Sequence, residues 1–163
     1  MKFPDLEDIR DEKALARLGC RAFAVSVFDH WLSEEESTTA MFTYAEAVED
    51  GRMREFADIE RRFLTLYSRL ATGGVSLVRA DGDLEPLKPA GRRFRELLIA
   101  NVRERSAPRR KRVRFMDVYF HLWDTRVIGH WDLTDWFFCR SPEKIEGLNS
   151  FVREVGLHVL DRH

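Results

Sequence analysis

Apolar side chains recur at three- and four-residue steps along most of the first 70 positions and alternate in much of the remaining chain, which predicts helices first and strands later. From Asp11 the series Leu15, Leu18, Ala22, Val25, Phe28 and Leu32 lies on one helical face. Ser33 with Glu36 three residues later is the pattern of a capping box. It predicts a second helix that turns Met41, Phe42, Ala45 and Val48 inward and stops near Gly51. Met53, Phe56, Ile59, Phe63, Leu66 and Leu70 form the clearest stripe, closed by Gly73-Gly74. Val75 to Arg79 alternates like a strand and runs into the turn chemistry of Asp81-Gly82-Asp83. Pro86 and Pro89 keep the next stretch extended, and a helix over about 91–104 comes after it. A last helix starts at Ser141-Pro142-Glu143, with Ser as N-cap and Pro in the first turn, and faces Ile145, Leu148, Val152, Val155 and Leu160 inward.

Residues 113–134 are rich in aromatic and β-branched side chains and are interrupted by Asp124-Thr125, which predicts a β-hairpin. A turn centred there pairs Leu122 with Val127, Phe120 with Gly129 and Val118 with Trp131. Alternation then puts Met116, Val118, Phe120, Leu122, Val127, Trp131 and Leu133 on a core face. The opposite face carries Asp117, Tyr119, His121, Ile128, His130 and Asp132, with Tyr119 opposite His130 and Asp117 opposite Asp132. Two opposed carboxylates have Cβ atoms about 5 Å apart, so they share a proton, hold a cation or take an arginine between them. Beside a histidine and a tyrosine they supply what proton transfer needs. Two alternatives stand next to this: a wet sheet face with ordinary polar residues, and a metal held by His121, His130 and one aspartate.

Composition narrows the class. The chain has 163 residues, of which 44% are hydrophobic and 12% aromatic, enough for one domain with a real core and too apolar for disorder. The expected architecture is α+β: several N-terminal helices on a small antiparallel sheet that contains the 113–134 hairpin, plus a C-terminal helix. It forms one domain over 1–163, helical over about 5–72 and α+β over about 73–163. No apolar run exceeds four residues, against about 20 for a membrane span. The first residues hold no apolar stretch, so no signal peptide is expected. With Cys20 and Cys139 outside any CxxC pattern, a reducing cytoplasm is the default.

Net charge is −1, but its distribution is uneven. Residues 33–50 hold six acidic side chains and no Lys or Arg, while residues 92–114 hold ten basic ones against Glu96 and Glu104. The basic run including Arg109, Arg110 and Arg112 has no aromatic interleaved through 103–114, so at most weak, sequence-blind contact with nucleic acid is expected. Trp136, Phe137 and Phe138 cannot all point to one side of a strand, which suggests a surface for a protein partner or a second copy.

The segment Phe120-His-Leu-Trp-Asp124-Thr-Arg126-Val-Ile128-Gly-His130-Trp131-Asp132 resembles the terminal strand pair of SnoaL-like polyketide cyclases, within the nuclear transport factor two-like fold. That pattern is an aromatic strand, an Asp-Gly turn, a basic residue, two aliphatics and His-Trp-Asp; here Thr125 replaces the glycine. The resemblance implies a curved, cone-shaped sheet whose pocket is lined by the His130 and Asp132 face, an acidic residue there acting as acid/base.

The resulting expectation is a small-molecule-binding domain, with proton transfer of cyclase or isomerase type on the hairpin's polar face. Asp132 or Asp117 takes and returns the proton, His130 and Tyr119 orient the substrate, and His121 and Ile128 contact the ligand. No cofactor, metal or membrane is called for. The competing expectation is a non-enzymatic regulatory or adaptor protein that acts through Trp136, Phe137, Phe138 and the 109–112 arginines, or through self-association.

Overall fold

The computed structural model describes residues 12–40, 42–103, 116–130 and 133–161. Among them, six α-helices accompany a seven-stranded, wholly antiparallel sheet, which makes the fold α+β. The chain order is α1 (Glu12–Leu18), β1 (Arg21–Ser26), α2 (Glu34–Ala40), α3 (Tyr44–Glu49), α4 (Met53–Leu70), β2 (Val75–Val78) and β3 (Leu84–Leu87). Then come α5 (Arg92–Arg103), β4 (Asp117–Phe120), β5 (Thr125–Gly129), β6 (Thr134–Cys139), α6 (Ile145–Glu154) and β7 (His158–Leu160). Strand order across the sheet is β3-β2-β4-β5-β6-β1-β7.

One sheet face is covered by α4, α5 and α6. Phe23, Val75, Val118, Phe120, Val127 and Phe137 meet Phe63, Leu66, Tyr67, Phe94, Leu98 and Leu148 in the main core. On the other face Leu15 of α1 packs on Ala22, Ala24, Phe138 and Leu160. Phe137 and Phe138 are therefore both sealed, on opposite faces, and neither is open to a partner, while Trp136 beside them is partly exposed. Arg109, Arg110 and Arg112 lie outside the described residues.

Four sequence expectations change. The helix expected from Asp11 through Leu32 ends at Leu18, because Gly19 takes a left-handed φ of 63° and β1 begins two residues later. A strand buried on both faces has no alternation to give it away. The single helix read over 33–51 is two, since Thr43 and Glu46 form a second capping box and start α3. Ser33 and Glu36 do cap α2: Ser33 N–H donates to Glu36 Oε2 (2.8 Å) and Glu36 N–H to Ser33 Oγ (3.2 Å). The last helix stops at Glu154, before Gly156 (φ 78°), and Leu160 belongs to β7 beside β1.

The fourth change is the hairpin register. Val118 pairs with Val127, Tyr119 with Arg126, Asp117 with Ile128 and Phe120 with Thr125. The turn is His121-Leu122-Trp123-Asp124, two residues earlier than expected, with Asp124 N–H donating to His121 O (3.2 Å). Asp124 adopts φ 47°, a conformation Asp tolerates better than most residues. Trp123 settles the matter by docking on α6, edge-on to Phe151 at 5.2 Å. The shift preserves which face each strand residue occupies, but it moves Leu122 out of the core to 53% exposure.

His30 closes the start of α2. Its Nδ1 lies 2.6 Å from Asp29 Oδ1 and its Nε2 3.1 Å from Glu36 Oε1, a position between two carboxylates that favours the protonated ring. The Asp29 and Glu36 hydrogen bonds raise its pKa above 6.5. The Ser33 backbone and hydroxyl, then His30, hold Glu36 down at about 2. The His30 contribution is complete below its unfolded pKa of about 6.5 and disappears as pH rises through the folded value. The Glu36 contribution is complete above 4.5 and disappears as pH falls toward 2. The cap is thus strongest between these limits. An NMR titration of the His30 ring is expected to inflect above 6.5, and Glu36→Gln to move that inflection down; an unchanged midpoint in the variant would show that the bond contributes nothing.

Candidate functional site

The polar face of the hairpin divides into three places. At its centre Arg126 donates to Asp117 through Nε (2.8 Å to Oδ1) and a terminal nitrogen (2.7 Å to Oδ2). Both oxygens of Asp117 are engaged in this fork, and Asp117 faces Ile128 across the ladder, not Asp132. It is not placed as a free acid/base. At the far end His130 stacks on Trp136, with ring centroids 4.6 Å apart, and Ile128 packs beside the same tryptophan against the α1 side. Tyr119 is not opposite His130 but opposite Arg126. Asp132 and Trp131 lie outside the described residues.

The third place is the end of the sheet where β2, β4 and the β4–β5 turn meet, and here polar groups converge. His121 Nε2 lies 2.8 Å from Ser76 Oγ. The His121 ring stands edge-on to Tyr119, with centroids 5.0 Å apart. Tyr119 donates its hydroxyl to Asp124 Oδ1 (2.5 Å), whose other oxygen accepts from Ser141 Oγ (3.1 Å). Arg140 Nε is 3.7 Å from Asp124 Oδ1, and the Arg140 N–H donates to the Asp124 carbonyl (3.0 Å).

Backbone geometry positions these groups. Ser76 pairs with Tyr119 across the β2–β4 ladder, and His121 N–H donates to Gly74 O (3.0 Å). The Gly73-Gly74 helix stop has a second use, because a Cβ at Gly73 would fall 2.1 Å from Leu122 Cβ and one at Gly74 3.4 Å from the His121 ring. The turn can lie on β2 only over bare backbone.

Protonation is set by burial and charge. Burial, then the hydrogen bond to Asp124 and its negative charge, raises the Tyr119 pKa above its ordinary value, so the phenol remains a donor. Burial likewise raises the Cys20 thiol, with the nearby Arg140 opposing and Asp124 and Cys139 reinforcing the shift, so this cysteine stays protonated. Ser76 is 1% exposed and is fitted to orient the imidazole; a reagent from solvent does not reach it. His121 itself is exposed.

A second polar centre lies on the helix side. Tyr67 donates its hydroxyl to Asp135, and both residues are fully sealed within the core. Among the described residues no group of three or more His, Cys, Asp and Glu side chains is placed to hold a metal ion. No described helix is long and apolar enough to cross a membrane.

No family model matches this chain, and no curated protein or solved structure matches it either. The site residues therefore rest on geometry. Of the expected residues, the structure brings together Tyr119 and His121, ties Asp117 to Arg126 and places His130 and Ile128 on Trp136. Sequence reading missed Ser76, Asp124, Arg140 and Ser141. A hint was available in Asp124, since an acidic residue at a hairpin turn is a candidate for a left-handed position.

Proposed function

We propose that this chain binds a small organic molecule at the Ser76–Tyr119–His121 end of the sheet and that His121 moves a proton to or from it. The observation that carries the reading is an exposed imidazole tied through Nε2 to a buried hydroxyl at 2.8 Å, backed by a tyrosine held in its protonated form. An exposed imidazole anchored through one nitrogen is a side chain suited to general acid/base work. Leu122, exposed beside it, offers apolar contact, and Arg140 and Ser141 offer a polar rim to an oxygen that gains charge. The likeness of residues 120–132 to SnoaL-like cyclases supports the reaction class, proton removal next to a carbonyl, and kinship with that family is part of the proposal. In this reading the acid/base duty expected of Asp132 or Asp117 passes to His121.

Deuterium wash-in from D2O at the α-carbon of a panel of enolisable ketones and β-keto esters tests it. The full chain should accelerate exchange on at least one compound, and His121→Ala should remove about 10²–10⁴-fold of that rate. Asp117→Asn should leave it intact, because Asp117 sits in the Arg126 fork. Exchange no faster than free imidazole gives, or equal in wild type and His121→Ala, sinks the reading.

A further inference from the structure

The outer side of α4 is electrostatically and sterically two-ended. Toward its C-terminus a groove of about 610 Å³ runs between α4 and α5. Leu64, Phe94 and Leu98 line it together with Arg61, Arg69 and Arg95 and with Glu60, whose carboxylate is held by Arg103. A second depression of about 600 Å³ on the other side of α4 shares Arg61 and Arg69 and adds Arg62 and Glu154, so basic residues run from the middle of the helix to its C-terminal end. Asp58 pairs with Arg61 and Arg62, and Glu154 with Arg69, while Arg95 is exposed and enters no described ion pair.

The other end of α4 is the converse. Here α3 presents Val48 at 53% exposure and α4 begins with Met53 at 36%, two of the three most exposed large hydrophobics among the described residues. Glu49 and Asp50 follow Val48, both exposed and in no described ion pair; of the two nearby arginines Arg52 is taken by Glu55 and Arg54 is exposed. An apolar tip with an acidic collar matches an apolar groove with a basic rim.

We propose that a second copy of this chain docks across α4, the Val48–Glu49–Asp50 tip of each copy entering the α4/α5 groove of the other. The two ends fix the placement. An 18-residue helix is about 27 Å long, and a two-fold axis through its middle, perpendicular to it, brings each copy's acidic end onto the other's basic end. Both halves of the contact are then made at once. The attraction is between exposed charges, so the dimer dissociates as salt rises. Glu49 and Asp50 come from the acidic segment of the chain and Arg95 from the basic one, and their contact does not depend on whether His121 is catalytic.

Sedimentation equilibrium of the full chain at about 0.1 M and about 1 M ionic strength, where the screening length falls from about 10 to about 3 Å, should show a dimer at the lower value and monomer at the higher. Glu49→Arg and Arg95→Glu each place like charges in contact and should weaken the dimer at least about tenfold. Both positions are exposed, and circular dichroism confirms that each variant is folded. A mixture of the two variants restores one native and one reversed contact, and should recover the dimer as a heterodimer. A chain that is monomeric at every salt and concentration overturns the proposal, as does a dimer indifferent to both charge reversals.

Discussion

Phe120→Ala is expected to lower the folding free energy by about 3–5 kcal/mol, the range for emptying a large buried aromatic site. Phe120 is fully buried on β4, where it lies nearly parallel to Tyr67 (centroids 6.0 Å, 4°) and edge-on to Phe94 (6.5 Å, 75°). It therefore joins the sheet to α4 and α5 at once. Val75 and Thr125 flank it on the neighbouring strands, and their short side chains cannot close the space. A typical domain has only about 5–15 kcal/mol in hand, so the variant will be partly unfolded at modest urea. Phe120→Leu keeps most of the volume and should cost less than about 1.5 kcal/mol. Urea unfolding monitored by circular dichroism measures both. A loss under about 1 kcal/mol for the alanine variant would mean that this ring does not close the core.

Gly129→Ala is the second large effect, although it adds one methyl to a strand. Removing glycine from a strand interior normally stabilises by about 0.5–1 kcal/mol. Here the new Cβ would sit 2.0 Å from Asn101 Oδ1 and 2.9 Å from its Cγ. Asn101 cannot swing aside freely, because it is buried on α5 and its Oδ1 accepts from the Met116 N–H (3.3 Å). Overpacking therefore outweighs propensity, and a net loss of about 1–3 kcal/mol is expected. A double-mutant cycle isolates the cause. In an Asn101→Ala background, itself weakened by the unsatisfied Met116 N–H, Gly129→Ala should become nearly neutral. Additive losses would show that the glycine is needed for some reason other than Asn101.

Local chemistry decides the parts of the fold that were legible along the chain. The stripe from Met53 to Leu70 forms the 18-residue helix it predicts, because Phe56, Phe63, Leu66 and Leu70 at helical spacing share one face and bury it. The Ser33–Glu36 box, the strand at 75–78 and the α5 helix form for similarly local reasons. So does the two-sided character of 116–129, since side-chain alternation survives an even shift in pairing.

Tertiary structure decided everything that depends on which residues face one another. Both the expected turn and the observed one are compatible with the pattern of residues 113–134; the docking of Trp123 on α6 and the bare backbone of Gly73-Gly74 select the earlier turn. That two-residue change gives Asp117 an arginine, leaves His130 with a tryptophan and brings His121 to a serine 45 positions away. β1 shows no alternation because both of its faces are buried, and Leu160 fits a helical stripe along the chain because β7 is only three residues long. A short or doubly buried strand carries no periodicity of its own: its conformation is chosen by the neighbours it hydrogen-bonds to, and those neighbours are far away in the sequence.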